Sequence, residues 1–272
     1  MRPLNALHQA IATAIREPVV IAVAALIALV QLPALLARLL PPTVAVVASL
    51  SINLLTLLLV PFTQGGMLGI ADGALDGHAS IRLFLAEGRD NYVSLFGAYV
   101  VLTALGIAAV IVIMLLLLFG AGFGAVTSRV DSGAVGGSLF DAFGIVFLGS
   151  FVLFGVLGVL GFLFIQFYAQ AIVIDDCGAL GGFKRSVTLV REHFLATLGY
   201  SVIAFIITGV IGTVSSSASV VLSSETTTLG GLSADTLPLI GGIALVVVVL
   251  STLSSAFGSL YSVSFYRQLA DS

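Results

Sequence analysis

Apolar residues fill six windows along the chain, near residues 19–40, 44–70, 92–119, 143–174, 194–221 and 238–265. Only Arg38 interrupts them with a charge. A hydrocarbon core about 30 Å thick is crossed by about 20 helical residues, so each window predicts a membrane-spanning α-helix. Three shorter stretches, near 4–16, 79–89 and 181–191, instead place apolar residues on one helical face. These are Leu4, Leu7, Ile11 and Ile15 in the first, Ile81, Phe84 and Leu85 in the second, and Phe183, Val187 and Val190 in the third. None is long enough to span. The pattern predicts helices that lie in the interface.

The alternation repeats. Arg16-Glu17 precedes the first window, Arg89-Asp90 the third and Arg191-Glu192 the fifth, while Gly97 and Gly199 each follow an arginine of this set by eight residues. Gly73-Ala74-Leu75 and Gly178-Ala179-Leu180 lie upstream of the second and third pairs. We read a single all-α integral membrane domain of three parallel units, about 3–71, 78–174 and 183–267. Each unit is an interfacial helix followed by a transmembrane hairpin. An acid in the first turn of a spanning helix would face the positive end of its dipole, and the adjacent arginine would reach lipid phosphate.

Composition excludes a water-exposed globule: 59% of the residues are hydrophobic, only 8% are charged and mean hydropathy is +1.22, against about 25% charge in soluble domains. The basic residues are unevenly placed. Arg2, Arg16, Arg82, Arg89, Lys184, Arg185, Arg191 and Arg267 fall on one side of the predicted topology, and Arg38 and Arg129 on the other. By the positive-inside rule both termini are cytoplasmic, in a multi-pass protein of the cell membrane. Tyr92, Phe167, Tyr168, Phe194, Tyr261 and Tyr266 are expected at the headgroup level on that side. The first window is too long, and too poorly flanked, for a cleaved signal.

Little is left for chemistry. No basic run could follow a nucleic-acid backbone, and one cysteine, Cys177, permits neither an internal disulfide nor a multi-thiolate zinc site. Ionisable groups are absent from the middle of the spans, where a proton relay or charged-solute path would need them. Asp72, Asp76, His78, Asp175, Asp176, Cys177, Glu192 and His193 share one compartment without the spacing of a metal motif, and solvated loop charges are the simpler reading. Gly120, Gly122 and Gly124 end a span and follow no strand, so they are no nucleotide fingerprint. Neither a cofactor nor an enzymatic activity is expected.

Two groups remain as candidate sites. Arg16, Arg82, Arg89, Lys184, Arg185 and Arg191 would form a basic collar for anionic lipid or an acidic partner. Gln31, Asn53, Gln64, Gln166 and Gln170 are the polar residues within spans, of which Asn53, Gln64, Gln166 and Gln170 could line a polar pocket. Hydrogen bonding between helices is the preferred reading for Gln64 and Gln170. Small-residue stripes, Gly65-Gly69, Gly155-Gly158-Gly161, Ser215-Ser219-Ser223 and Ser251-Ser255-Ser259, allow close helix packing or self-association.

The N-terminal helix ending Arg16-Glu17-Pro18, the Gly-Ala-Leu stretch before Arg89, and the run from Phe167 through Asp175-Asp176, Gly178 and Lys184-Arg185-Ser186 to Phe194 and Gly199 carry a resemblance. The chain resembles six-span membrane proteins of unknown function that include haloarchaeal members, bacterial YciC-like proteins and the membrane domain of some glycerophosphodiester phosphodiesterases. An archaeal source is in keeping with the bias to arginine and aspartate. The resemblance implies topology and a membrane role, not an activity. The repeated Arg-acid anchors, the absence of buried charge and the small-residue stripes favour a non-enzymatic lipid- or partner-organising membrane module, with a transporter or channel for a weakly polar or lipid-like solute as the alternative.

Overall fold

In the computed structural model, which describes residues 2–30, 32–33, 41–127, 134–224 and 236–271, every regular element among the described residues is helical. In chain order these are α1 (Arg2–Arg16), α2 (Pro18–Val30), α3 (Pro42–Leu75), α4 (Ile81–Asp90), α5 (Tyr92–Thr127), α6 (Ala134–Ile165), α7 (Tyr168–Ile174), α8 (Ala179–Glu192), α9 (Phe194–Ser224) and α10 (Thr236–Ala270). Gln31, Arg38, Arg129 and the loop that contains Glu225 lie outside the described residues, and so do the side chains of Ser215, Ser219 and Ser223.

Four stretches are long and apolar enough to cross a membrane: Thr43–Leu75, Tyr92–Leu118, Leu148–Ile174 and Gly241–Ala270. They coincide with the second, third, fourth and sixth apolar windows. The first and fifth windows belong to bent pairs, α1 with α2 at 87° and α8 with α9 at 105°, which bring the candidates to six if each pair is counted as one span. Spans of this kind suggest a membrane-embedded protein. The fourth window is not one uninterrupted helix, because a turn at Gln166 and Phe167 separates α6 from α7.

The bends have local causes. Pro18 has no amide proton and starts α2 at its first position, where none is needed, while the Glu17 amide still donates to Thr13 O at 2.8 Å. The α4–α5 break falls at Asn91, whose side chain donates to Glu87 O at 3.2 Å and to Glu87 Oε2 at 3.0 Å. His193 divides α8 from α9, its amide donating to Leu189 O and its carbonyl accepting from Thr197 N. The acids of the Arg-acid pairs therefore do not stand in the first turn of a span. Glu17 occupies the break itself, and Asp90 and Glu192 are the last residues of α4 and α8. Arg16, Arg89 and Arg191 sit in the last turns of α1, α4 and α8, where a cation suits the negative end of the dipole.

By contact the chain divides into two compact units, residues 1–96 with 166–272, and residues 97–165. The second consists of most of α5 with α6. Most of its large side chains are exposed where described, Leu105, Ile111, Met114, Leu118, Phe151 and Phe162 among them, while Leu163 is buried. So extensive an apolar surface marks contact with lipid or protein rather than water.

The first unit is organised around the last turns of α10. From Leu260 to Tyr266 every residue is buried, as expected of a helix surrounded by others. Tyr200 stacks on Phe265 at 4.6 Å and on Tyr261 at 4.8 Å, and Phe167 lies 5.3 Å from Tyr200. Phe167, Tyr261 and Tyr266 thus form the core and not a headgroup belt. The reason is packing: their rings fill the space where α7, α9 and α10 meet.

The amphipathic helices also pack differently from the usual soluble pattern. α1 buries Ala6, Ala10, Thr13 and Ala14, whereas Leu4, Ile11 and Ile15 are 63%, 43% and 77% exposed. Its small-residue face meets the protein, and its large apolar side chains point away. In α4 a glycine seam does the same. A Cβ on Gly66 would stand 2.6 Å from the Phe84 carbonyl, and one on Gly88 2.8 Å from the Phe62 carbonyl, so α3 and α4 touch backbone to backbone. The Gly65-Gly69 stripe is occupied by α4 of the same chain. The serines of α10 bond back along their helix, Ser259 Oγ donating to Ser255 O at 2.8 Å and Ser262 Oγ to Ser259 O at 2.9 Å, as buried hydroxyls in apolar helices do.

Candidate functional site: an acidic hub with a basic periphery

The charged residues of the first unit gather where α3, α7 and α10 end. Arg267, near the end of α10, donates from Nε to Asp72 Oδ1 at 2.6 Å and from one terminal nitrogen to the Asp72 carbonyl at 3.2 Å. It also donates to both carboxylate oxygens of Asp76 at 2.9 Å, the two-pronged geometry a guanidinium provides. Its neighbour Tyr266 donates to Asp175 Oδ2 at 2.7 Å, and Arg185 of α8 donates from Nε to the same oxygen at 2.9 Å. Two adjacent residues of α10 thereby fasten the ends of α3 and α7. Asp72, Asp76 and Asp175 are not simply solvated loop charges.

The hub is acidic on balance. Arg267 faces two carboxylates, and Glu87, folded inward from α4 against Gly69, adds another. Burial raises the Glu87 pKa above its usual 4.5, and the nearby charges of Asp176, Asp90 and Asp72 raise it further. The hydrogen bonds from Arg267 hold Asp76 below its usual 3.8. Asp176 adopts φ 51°, a left-handed conformation that aspartate tolerates better than most side chains, and it turns the chain from α7 toward α8.

Five other basic side chains of the first unit are exposed, Arg16 on α1, Arg82 and Arg89 on α4, and Lys184 and Arg191 on α8, and none has an acidic partner within 4.0 Å among the described residues. Arg185 alone of the six collar residues is ion-paired, to Asp175. No group of three or more His, Cys, Asp or Glu side chains among the described residues could hold a metal ion.

The polar residues of the spans do not meet as one set. Asn53 is exposed and donates to Ser49 O of its own helix at 2.8 Å, and it lies about 16 Å along α3 from half-buried Gln64 at 1.5 Å per residue. Gln166 accepts from Ser201 Oγ of α9 at 2.9 Å, a bond between elements that was expected of Gln64 and Gln170 instead. Gln166 Nε2, Gln170 Oε1, Thr197 Oγ1 and Tyr261 Oη are buried without a hydrogen-bond partner among the described residues. The sequence pattern counted Arg267 only in the charge asymmetry and put Tyr266 at the headgroup level, and neither in a candidate site. A usable signal was present, since Asp72 and Asp76 are four residues apart and so share one helical face, and Arg267 is the one basic residue after the sixth window.

These features belong to an all-helical class with four to six candidate membrane spans. The chain is a member of a family described as a domain of unknown function, DUF7847, whose model matches residues 1–269. No curated protein and no solved structure matches it.

Proposed function

We propose that the protein is a non-enzymatic membrane module that organises anionic lipid, or an acidic partner, through the cytoplasmic face of a six-span bundle of three parallel hairpins. One observation carries this reading: α1, α4 and α8 carry exposed cations without an acidic partner among the described residues, and α1 and α4 turn large apolar side chains outward beside them. An interfacial helix needs that combination, an apolar face for the acyl boundary and cations for phosphate. The equivalent breaks after Arg16, Arg89 and Arg191 support the threefold arrangement. Each basic residue near an anionic surface contributes on the order of 1 kcal/mol, so five together favour retention of anionic lipid.

The test replaces Arg89 and Arg191 by glutamine and quantifies the lipid that co-purifies in mild detergent. Anionic lipid should fall relative to neutral lipid while the fold survives. Unchanged anionic lipid in a folded double variant removes the reading. A second reading, passage of a weakly polar or lipid-like solute, draws on the unpartnered buried atoms of Gln166, Gln170, Thr197 and Tyr261. Solute uptake into vesicles that is abolished by Gln166→Leu would favour it.

A further inference from the structure

Between α2, α3 and α4 lies an almost wholly apolar cleft of about 350 Å³, with Val23 and Ile27 on one wall, Leu59 and Val60 on the other, and Ile81 and Leu85 at its mouth. Small-molecule sites start at about 300 Å³. The cleft's walls are parts of apolar helices, and its mouth belongs to an amphipathic one. The mouth is held firmly, because α4 is seated on α3 by Gly66 and Gly88 and by the edge-to-face pair Phe62 and Phe84, 5.7 Å apart.

Charge lies on one flank of that mouth. At about 100° per residue, Arg82 and Arg89 fall within about 20° of each other on α4, about 10 Å apart along its axis, with Leu85 between them and about 40–60° round the helix. Both are exposed and without an acidic partner among the described residues. The acids of α4 lie elsewhere on the helix: Glu87 packs inward against Gly69, and Asp90 stands about 80–100° away from the two arginines. An apolar slot beside two free guanidiniums is complementary to a molecule with a hydrocarbon chain and an anionic head.

We propose that this cleft seats one hydrocarbon chain of an anionic membrane phospholipid, with Arg82 and Arg89 holding its phosphate. The inference rests on the lipid-organising reading and names its site. Pro61 and Thr63 adapt the α3 wall. Proline removes one helical hydrogen bond, Thr63 Oγ1 donates back to Leu59 O and Val60 O at 3.2 and 3.1 Å, and Tyr92 Oη donates to Leu58 O at 3.1 Å. These side-chain bonds engage the carbonyls of Leu58, Leu59 and Val60, and the lining of the cleft is almost wholly apolar.

The experiment reconstitutes the full protein with phosphatidylglycerol carrying a diazirine near the end of one chain, cross-links it by light and maps the adducts by mass spectrometry. Adducts should concentrate on residues 23–30 and 56–63. Val60→Trp, which fills the slot, should remove them, and the pair Arg82→Gln with Arg89→Gln should weaken retention about thirtyfold, at about one order of magnitude per 1.4 kcal/mol and about 1 kcal/mol per basic residue. Adducts spread equally over the exposed faces of 105–118 and 151–162 would overturn the proposal even if the Arg89 and Arg191 double variant loses anionic lipid, and the broader reading would then stand alone. If neither arginine pair alters retained lipid, both fall.

Discussion

Replacing Arg267 by glutamine should separate the two arms of its ion-pair network, because the arms differ in burial. Arg267 and Asp72 side chains are 29% and 28% exposed, whereas Asp76 is 58% exposed. Fully exposed pairs contribute about 0–1 kcal/mol, and breaking a fully buried pair costs about 3–5 kcal/mol. Asp72, joined at 2.6 Å and supported by its own carbonyl at 3.2 Å, stands between these limits, so Asp72→Asn should cost ~2 kcal/mol by interpolation between them. Asp76→Asn should cost under ~1 kcal/mol as a largely exposed pair. Arg267→Gln loses both arms and should cost ~2–3 kcal/mol. Unfolding by SDS in mixed micelles measures all three, and a double-mutant cycle between positions 72 and 267 isolates the pair. Added salt should shrink the Asp76 effect more than the Asp72 effect. If Asp76→Asn costs as much as Asp72→Asn, or if the 72–267 coupling is zero, burial does not rank these interactions and the hub does not fasten α3 to α10.

Further expectations concern packing, protonation and sidedness. Gly66→Ala should destabilise by ~1–3 kcal/mol, because its methyl would meet the Phe84 backbone carbonyl at 2.6 Å and tight cores resist added volume, whereas Gly106→Ala, with nothing within 4 Å, should be neutral within ~0.5 kcal/mol. Glu87→Gln should stabilise the protein at neutral pH. The folded-state pKa of Glu87 is raised above 4.5, so its contribution is fully present below 4.5 and is lost as pH rises through the raised value; parent and variant should converge in acid and diverge above it, as SDS titrations at a series of pH values would record. Cys177, half-buried beside the hub, should react with a membrane-impermeant maleimide in inverted vesicles and not in intact cells. Labelling from outside would reverse the proposed orientation.

The helical class and four of the six windows were legible because hydropathy over 20 residues is a strong signal and each span satisfies its own backbone. The bends were legible from Pro18 and from the recurring Arg-acid pairs, although Asp90 and Glu192 close interfacial helices instead of opening spans. Side-chain direction was less legible. Leu4, Ile11 and Ile15 turn outward as an interfacial helix would have them, but the pattern gave no sign that Ala6, Ala10 and Ala14 make the protein contact. Tyr266 and Phe167 have headgroup-belt composition, yet their place in the core depends on which helices meet. The Arg267 network joins residues 191 to 195 positions apart, a separation at which local pattern carries no information. Of the collar, the exposure of five cations was foreseeable from their helical faces, and the pairing of Arg185 with Asp175 was not.

In the proposed arrangement α1, α4 and α8 lie at one level on one side of the membrane, with their cations among the lipid phosphates. Spin labels placed singly by Arg16→Cys, Arg89→Cys and Arg191→Cys in a Cys177→Ser background, in vesicles, report depth through collisions with oxygen and with a polar nickel chelate. All three labels should lie on the same leaflet at phosphate level, within about 5 Å of one another in depth, the rise of one helical turn. A label in the hydrocarbon core, in bulk water or on the opposite leaflet would contradict that arrangement.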